Sequence, residues 1–456
     1  TPAVDSIVNS PVTILAGNSS ATFYLHESDD SIGSIDIDVT DGTATDPDDG
    51  GSEDSPFSFV DTAFRFYVGG VHTDTAPIGV QIAGKSSAVA PDAQTLSLKA
   101  IRTNTDTGEC EAALQSVTTS VDLAYECNNP TTCSGSNQLS VVAASTATVT
   151  RNNNGATLSY TGVNMAFDGS GVAPFSFNFS DAGQVTLHAK KTVSASSPNT
   201  AFTLSGSSNA FVTRPFGLDL DFSNARAADW LDGGTLDGSA SDTSYSADDA
   251  GSVYLGAGND FSMQVTAVNW ASADDSNNDG VPDAGANLSD NTATNNFGRE
   301  TTGIDLVMSH SLNEPSLGSS GALASTFVIV GGGSTSYTTN NGEAESTLSW
   351  SEVGIIDISV SLQNYLGEAV ADLSGSALNV GRFTPDHFLV TASNGALADS
   401  CSGSFSYIGQ SIAYGTAPSA LIVARNAANS ATSNYTQTEY LNLTPANNSR
   451  AFSNAD

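Results

Sequence analysis

Residues 273–290, ADDSNNDGVPDAGANLSD, carry oxygen-bearing side chains at the spacing of a calcium loop. Asp275, Asn277, Asp279 and Asp283 fall at positions 1, 3, 5 and 9, and Gly280 at position 6 permits the sharp turn such loops need. The backbone carbonyl of Val281 fills position 7, and Asp290 or Asp274 is expected to complete the shell. Two features separate this stretch from a sensor EF-hand. Position 12 is Ala286, not a bidentate glutamate, and the strand-like FSMQVTAVNW precedes the loop where a helix would stand. The spacing therefore predicts a structural Ca2+ site of the extracellular kind, binding on the order of 10⁻⁴ to 10⁻³ M. A solvated polar loop is the alternative.

Other candidate chemistry is sparse. The histidines, His26, His72, His188, His310 and His387, are scattered, and none lies in a His-Glu-x-x-His pattern. His188 reads as an outward-facing strand residue. No G-x-S-x-G elbow is present. A chain with 49 acids offers carboxylate pairs by chance, so a glycan-active enzyme is the weaker reading and no catalytic residue is expected. Asp46, Asp48, Asp49, Glu53 and Asp54 read as a solvated acidic run. Trp350 is expected in a core, whereas Trp270, just before the aspartate loop, is either core or a sugar-stacking platform. Of Cys110, Cys127, Cys133 and Cys401, the pair in CNNPTTC is expected to form a disulfide. Zinc is the rival, but no histidine lies near these cysteines in sequence. Sequons such as those at Asn178, Asn287, Asn434, Asn442 and Asn447 follow from composition.

The elements that must position these groups are strands. Among 456 residues, 13 Lys and Arg oppose 49 Asp and Glu, a net charge of -36, which disfavours nucleic acid and anionic membrane surfaces and favours divalent cations. No apolar run is long enough to span a bilayer. With 42 glycines and turn signals about every ten residues, the pattern is that of an all-β protein. Short alternating segments recur at FSFVDTAFRFYV, IGVQIA, TLSLKAI, SVDLAYE, LSVVAA, APFSFNF and QVTLHAK.

An internal repeat sets the domain plan. SFNFSDAGQVTLHA (176–189) returns as TLSWSEVGIIDISV (347–360), and Gly33 precedes SIDIDV as Gly183 and Gly354 precede their strands. Each copy is followed by a boundary strand, FVDTAFRF, FVTRPFGL or VGRFTPDHF. Separations this long mark tandem domains. The acid-x-Gly corner resembles the turn before the penultimate strand of an immunoglobulin-type domain, so the expected fold is tandem Ig-like β-sandwiches. The layout is a C-terminal half-module over 1–60, whole modules over 61–213 and 214–381, and an N-terminal half-module over 382–456. A chain that starts and stops in mid-module, and opens without Met or a signal peptide, is expected to be an excised segment of a longer protein.

The segments FSFVDTAFRFYV, LKAIRTNTDTGEC, FSFNFSDAGQVTLHA, FVTRPF, LSWSEVGIIDISV and VGRFTPDHF, in this order, resemble those of MshQ-like proteins from mannose-sensitive haemagglutinin pilus clusters of marine bacteria. The resemblance implies a secreted, multi-module, non-enzymatic surface protein associated with type IV pili. Its expected partners are a surface receptor or glycan, pilus subunits, or copies of itself. A self-assembling fibre or surface-layer subunit, with half-modules completed between chains, is the alternative.

Overall fold

The computed structural model describes residues 62–103, 110–135, 138–194, 201–223, 253–302, 304–325, 343–398 and 411–437, with short stretches elsewhere. Eight principal strands build the first sandwich: β1 (Thr62–Val68), β2 (Gln81–Ile82), β3 (Leu96–Thr103), β4 (Val117–Asn129), β5 (Leu139–Val142), β6 (Val172–Phe179), β7 (Gly183–Val193) and β8 (Phe211–Arg214). One sheet runs β5-β6-β3-β1 and the other β4-β7-β8-β2. The first is the A-B-E-D sheet of an Ig-type sandwich, the second its C-F-G sheet with β2 added in parallel to β8. Alternation in the sequence decides which side chains meet between them. Along β6, Ala173, Phe175, Phe177 and Phe179 are buried while the residues between them face outward. They pack with Phe64, Leu98, Tyr125 and Leu187 in one core.

The second sandwich repeats this plan. It contains β9 (Gly217–Ser223), β10 (Leu255–Gly256), β11 (Asp260–Val268), β12 (Ile304–Glu314), β13 (Glu343–Trp350), β14 (Gly354–Tyr365) and β15 (Glu368–Thr384). Its sheets run β9-β11-β13 and β10-β15-β14-β12, and the short β10 again pairs in parallel with the last strand. Trp350 is fully buried in its core beside Phe383, as its place in the repeat requires. Beyond it, β16 (His387–Ser393) and β17 (Ser419–Arg425) form an antiparallel ribbon equivalent to β1–β3 and β9–β11.

Two details differ from the sequence expectation that every strand is short. β4 has 13 residues and β15 has 17. Register shifts at Cys127/Asn129 and along Gly354–Asn364 let both strands bend and continue past one ladder. Cys127 and Cys133 are bonded at an S–S distance of 2.09 Å. Cys110 is a free, exposed thiol, while Cys401 and the acidic run at 46–54 lie outside the described residues. No helix among the described residues is long and apolar enough to cross a membrane.

Candidate functional site at the module joints

The repeated corner is the origin of the joints between sandwiches. Gly183 and Gly354 open β7 and β14 at φ +128° and +140°, where a side chain is strained. A Cβ on Gly183 would also stand 2.7 Å from the Asn129 carbonyl oxygen, and one on Gly354 would collide with that of Glu314. Just before each glycine, a strand of fixed alternation ends in a buried aromatic, Phe179 or Trp350, then Ser180-Asp181 or Ser351-Glu352. The acid is thereby aimed out of the end of its sandwich, into the next one.

At the first joint, Asp181 Oδ1 accepts hydrogen bonds from the backbone N–H of Asn296 (2.9 Å) and of Ala182 (2.8 Å). Asn296 Oδ1 in turn accepts from Ser134 N–H at 2.7 Å. At the second, Glu352 accepts from the N–H groups of Ser433 (2.9 Å) and Asn434 (3.2 Å), and Asn434 Oδ1 accepts from Ser319 N–H at 2.7 Å. The backbone follows the same plan. Gly84 N–H donates to Phe179 O and Trp270 N–H to Ala83 O; Gly258 N–H donates to Trp350 O and Ala427 N–H to Ala257 O. Asn269 and Asn426 carboxamides reach the carbonyls of Ser180 and Ser351. Gly84 and Gly258 both sit at φ +80° against the asparagine of the next module. Asp181, Asn296 and Asn434 are all 0% exposed. Buried polar groups hold best when bonded, and these bonds make each joint a specific lock, although Asp181 Oδ2, Asn296 Nδ2 and Asn269 Oδ1 at the first joint are buried without a partner.

The aspartate loop belongs to the first joint alone. Asp275 Oδ2 accepts from Gly280 N–H at 3.2 Å, Asn277 Oδ1 from Asp279 N–H at 3.0 Å, and Asp279 Oδ1 from Val281 N–H at 2.9 Å. Asp283 Oδ2 closes the turn on Ser276 N–H at 2.9 Å. These bonds fold the loop into a succession of tight turns. Asp290 is exposed and makes no hydrogen bond to the loop among the described residues. The first sandwich grips the loop from outside. Lys85 Nζ lies 2.7 Å from Asp275 Oδ2, with side chains 3% and 0% exposed, and Arg214 donates to Gly280 O at 3.0 Å. Trp270 Nε1 also donates to Asp275 Oδ2 at 2.7 Å, and Lys85 lies 4.9 Å from the centre of its ring. Trp270 therefore serves the joint, with one face taken by Lys85. Asp275 Oδ1 is buried without a partner, a hard oxygen suited to a divalent cation. Among the described residues, however, no three Asp, Glu, His or Cys side chains converge closely enough to hold a metal by themselves.

Electrostatics divide these carboxylates. Burial pushes Asp275 up, but hydrogen bonds from Lys85, Trp270 and Gly280, with the Lys85 charge, bring it below the ordinary value. Asp283 is lowered by its bonds to Ser276. In the joint, burial pushes Asp181 up to about 7 against the bonds from Asn296 and Ala182 and the pull of Arg299. Burial likewise pushes Glu300 up to about 7, although Tyr365 Oη donates to it at 2.7 Å, and repulsion from Asp181 adds to the shift.

Other expectations resolve simply. His188 faces outward between buried Leu187 and Ala189, and its Nε2 lies 3.0 Å from Glu126. Sequence reasoning missed Lys85 and the Asn296 and Asn434 locks. A signal for the locks exists: Thr294-Asn295-Asn296-Phe297 and Thr432-Ser433-Asn434-Tyr435 share Thr-x-Asn-aromatic.

Fold and joints define a class, a multi-module all-β chain of Ig-like sandwiches. Three models of a single family match it in succession: "Domain of unknown function (DUF6701), first Ig-like domain" over residues 44–207, the second domain over 214–348 and the third over 352–456. The chain belongs to this family. The third match begins at Glu352, the corner acid of the second joint. No curated protein matches the chain. Among solved structures, the "D0-D1 domain of Intimin" is similar at 12% identity over 71% of this chain and 100% of that one, with a TM-score of 0.17, too low to carry an argument.

Proposed function

We propose that this chain is a stiff, non-enzymatic segment of a secreted bacterial surface protein, structural or adhesive, and associated with type IV pili as the sequence resemblance implies. The observation that supports it best is the joint built twice from the same groups, which locks successive sandwiches instead of tethering them. The displaced carboxyls, Asp181 and Glu300, are walled inside a joint, which suits a mechanical role better than a catalytic one. The module limits at 213/214 and 381/382 remain part of this proposal. Small-angle scattering and electron microscopy of the purified chain test it: an elongated monomer of fixed length is expected, and a flexible string of beads would refute it.

Calcium stabilisation is the second part of the proposal. Asp275, Asn277, Asp279, Asp283 and the Val281 carbonyl would offer the oxygens, with Asp274 or Asp290 completing the shell, and the unpartnered Asp275 Oδ1 supports the assignment. Because Lys85 already offsets the charge of Asp275, the ion would rigidify the loop more than the fold. EDTA should lower the melting temperature modestly and calcium restore it; indifference to both removes the site.

The alternative is a fibre whose half-modules complete each other between chains. The β16–β17 ribbon exposes Phe388, Leu389, Val390 and Leu421, at 42%, 41%, 57% and 65%. In the two sandwiches the equivalent ribbon is joined by a third strand, β6 or β13, and covered by a second sheet. Filaments under the electron microscope would select this reading.

A further inference from the structure

We propose that a cleft beside the first joint binds a neutral saccharide. It has a volume of about 520 Å³, within the range of small-ligand sites. The end of β4–β7 forms one wall with Asn129 and Gln184; the tip of the β14–β15 hairpin forms the other with Gln363, Asn364 and Leu366, and Val307 of β12 lies between. Four primary amides therefore converge on one space, and among the described residues no ionisable side chain lines it. In a chain of net charge -36 that composition selects a chemistry. An anion is repelled by the whole molecule, and a cation finds no carboxylate among the described lining residues to pair with. Of the wall strands, β4 pairs with β7 and β14 lies between β12 and β15, which leaves only the outer edge of β12, paired at residues 304–305 alone among the described residues, for a peptide strand to add to.

What the cleft does offer is paired donors and acceptors beside apolar surface. Each amide presents a carbonyl and an NH2, the complement of neighbouring hydroxyls on a sugar ring. Val307 is 53% exposed, and its methyl groups with those of Leu366 suit the C–H face of the same ring. Leu366 sits at φ +52° beside Gly367 at φ +89°, in a turn where Gly or Asn is the unstrained choice. Part of Leu366 packs on the second core and the remainder lines the cleft. Asn129 is already fixed, since its Oδ1 accepts from Thr301 N–H at 3.0 Å, so the two walls are held at a set distance by the joint. The site depends on the proposed adhesive role only for its biological meaning.

The test uses the full chain. Saturation-transfer NMR and calorimetry with galactose, N-acetylglucosamine, maltotriose and chitotriose should show saturable binding, unaffected by sialyllactose acting as an anionic competitor and absent with an uncharged hexapeptide. Asn364→Ala and Gln184→Ala, on hairpin and strand positions outside the cores, should each weaken binding at least about fivefold with an unchanged melting temperature. No binding by any of the neutral sugars, binding indifferent to both substitutions, or preference for the peptide would each overturn the proposal. A protein receptor found in place of a sugar would leave the adhesive role standing, whereas sugar binding by a chain that never adheres to cells would remove that role and leave the cleft assignment intact.

Discussion

Replacing Asp181 by asparagine should stabilise the chain in mild alkali and leave it nearly unchanged in mild acid. Asp181 is held at about 7, against 3.8 for a free aspartate. The folded chain thus keeps a proton that the unfolded chain releases, so the stability present below pH 4 declines as pH rises toward 7. At about 1.4 kcal/mol per pKa unit, the interval from pH 5 to pH 7 removes up to about 3 kcal/mol through this one carboxyl. The groups around it are Asn296, Ala182, Gln138, Arg299 and Glu300, and the last titrates in the same direction over the same interval. Asparagine keeps the Oδ1 acceptor for the N–H groups of Asn296 and Ala182. Its new amide meets the Gln138 carboxamide, which donates to Asp181 and must turn to offer its Oε1, an oxygen buried without a partner. Urea titrations of wild type and Asp181→Asn, followed by tryptophan fluorescence at pH 5 and pH 8, measure the difference directly. The variant should gain about 2 to 3 kcal/mol relative to wild type between the two conditions. Equal pH slopes, or an equal loss at both pH values, would refute the assignment of Asp181 as a buried acid under strain.

Lys85→Met leaves the Asp275 charge buried with only Trp270 and Gly280 to bond it, and should cost about 3 kcal/mol. Hydrogen exchange should then rise across residues 271–290 while β14 stays protected; an unchanged loop would mean that Lys85 is no clamp. Gly354→Ala should cost about 3 kcal/mol or more, because φ +140° and the Glu314 carbonyl both oppose a methyl group, whereas Gly285→Ala, at φ +78° in open space, should cost about 1 kcal/mol. Comparable thermal shifts for the two would contradict the corner geometry. Joint replacement of Cys127 and Cys133 by alanine should remove about 2 kcal/mol, the figure for a loop this short, with the rest of the first core intact by near-UV circular dichroism.

The sandwiches were legible because their signal is local. Alternation along 172–179 or 354–360 names the buried face directly, and the recurrence of Ser-acid-x-Gly ties two such strands to one corner. The CNNPTTC bridge was legible for the same reason, its ends being six residues apart. The two-residue strand β2 is different: it is a strand only because β8 lies parallel beside it, and IGVQIA alone does not fix which residues pair. The joints were hidden by distance. Asp181 and Asn296 are 115 residues apart, and Lys85 and Asp275 are 190 apart. Nothing in the calcium-like spacing of 275–283 reveals that a lysine from another module holds its first aspartate, because that contact is a property of how two sandwiches dock.

The aspartate loop distinguishes the two joints mechanically. Between the asparagine that meets the corner serine and the segment bearing the lock, the second module inserts residues 270–291, whereas the third has only 427–429. The insertion lays Leu288 against Ile82, Phe216 and Val268, and brings Lys85 and Arg214 onto Asp275 and Gly280. The second joint has its acid–asparagine lock and a small cluster of Val353, Ala424, Tyr435 and Tyr440, and among the described residues no strap reaches back over the preceding sandwich. Local opening follows the number of buried contacts that must break together, so hydrogen exchange is expected to be slower at the first joint than at the second, and equal protection would refute the strap's contribution. Whatever occupies the cleft beside the first joint thus meets walls whose separation the strap maintains.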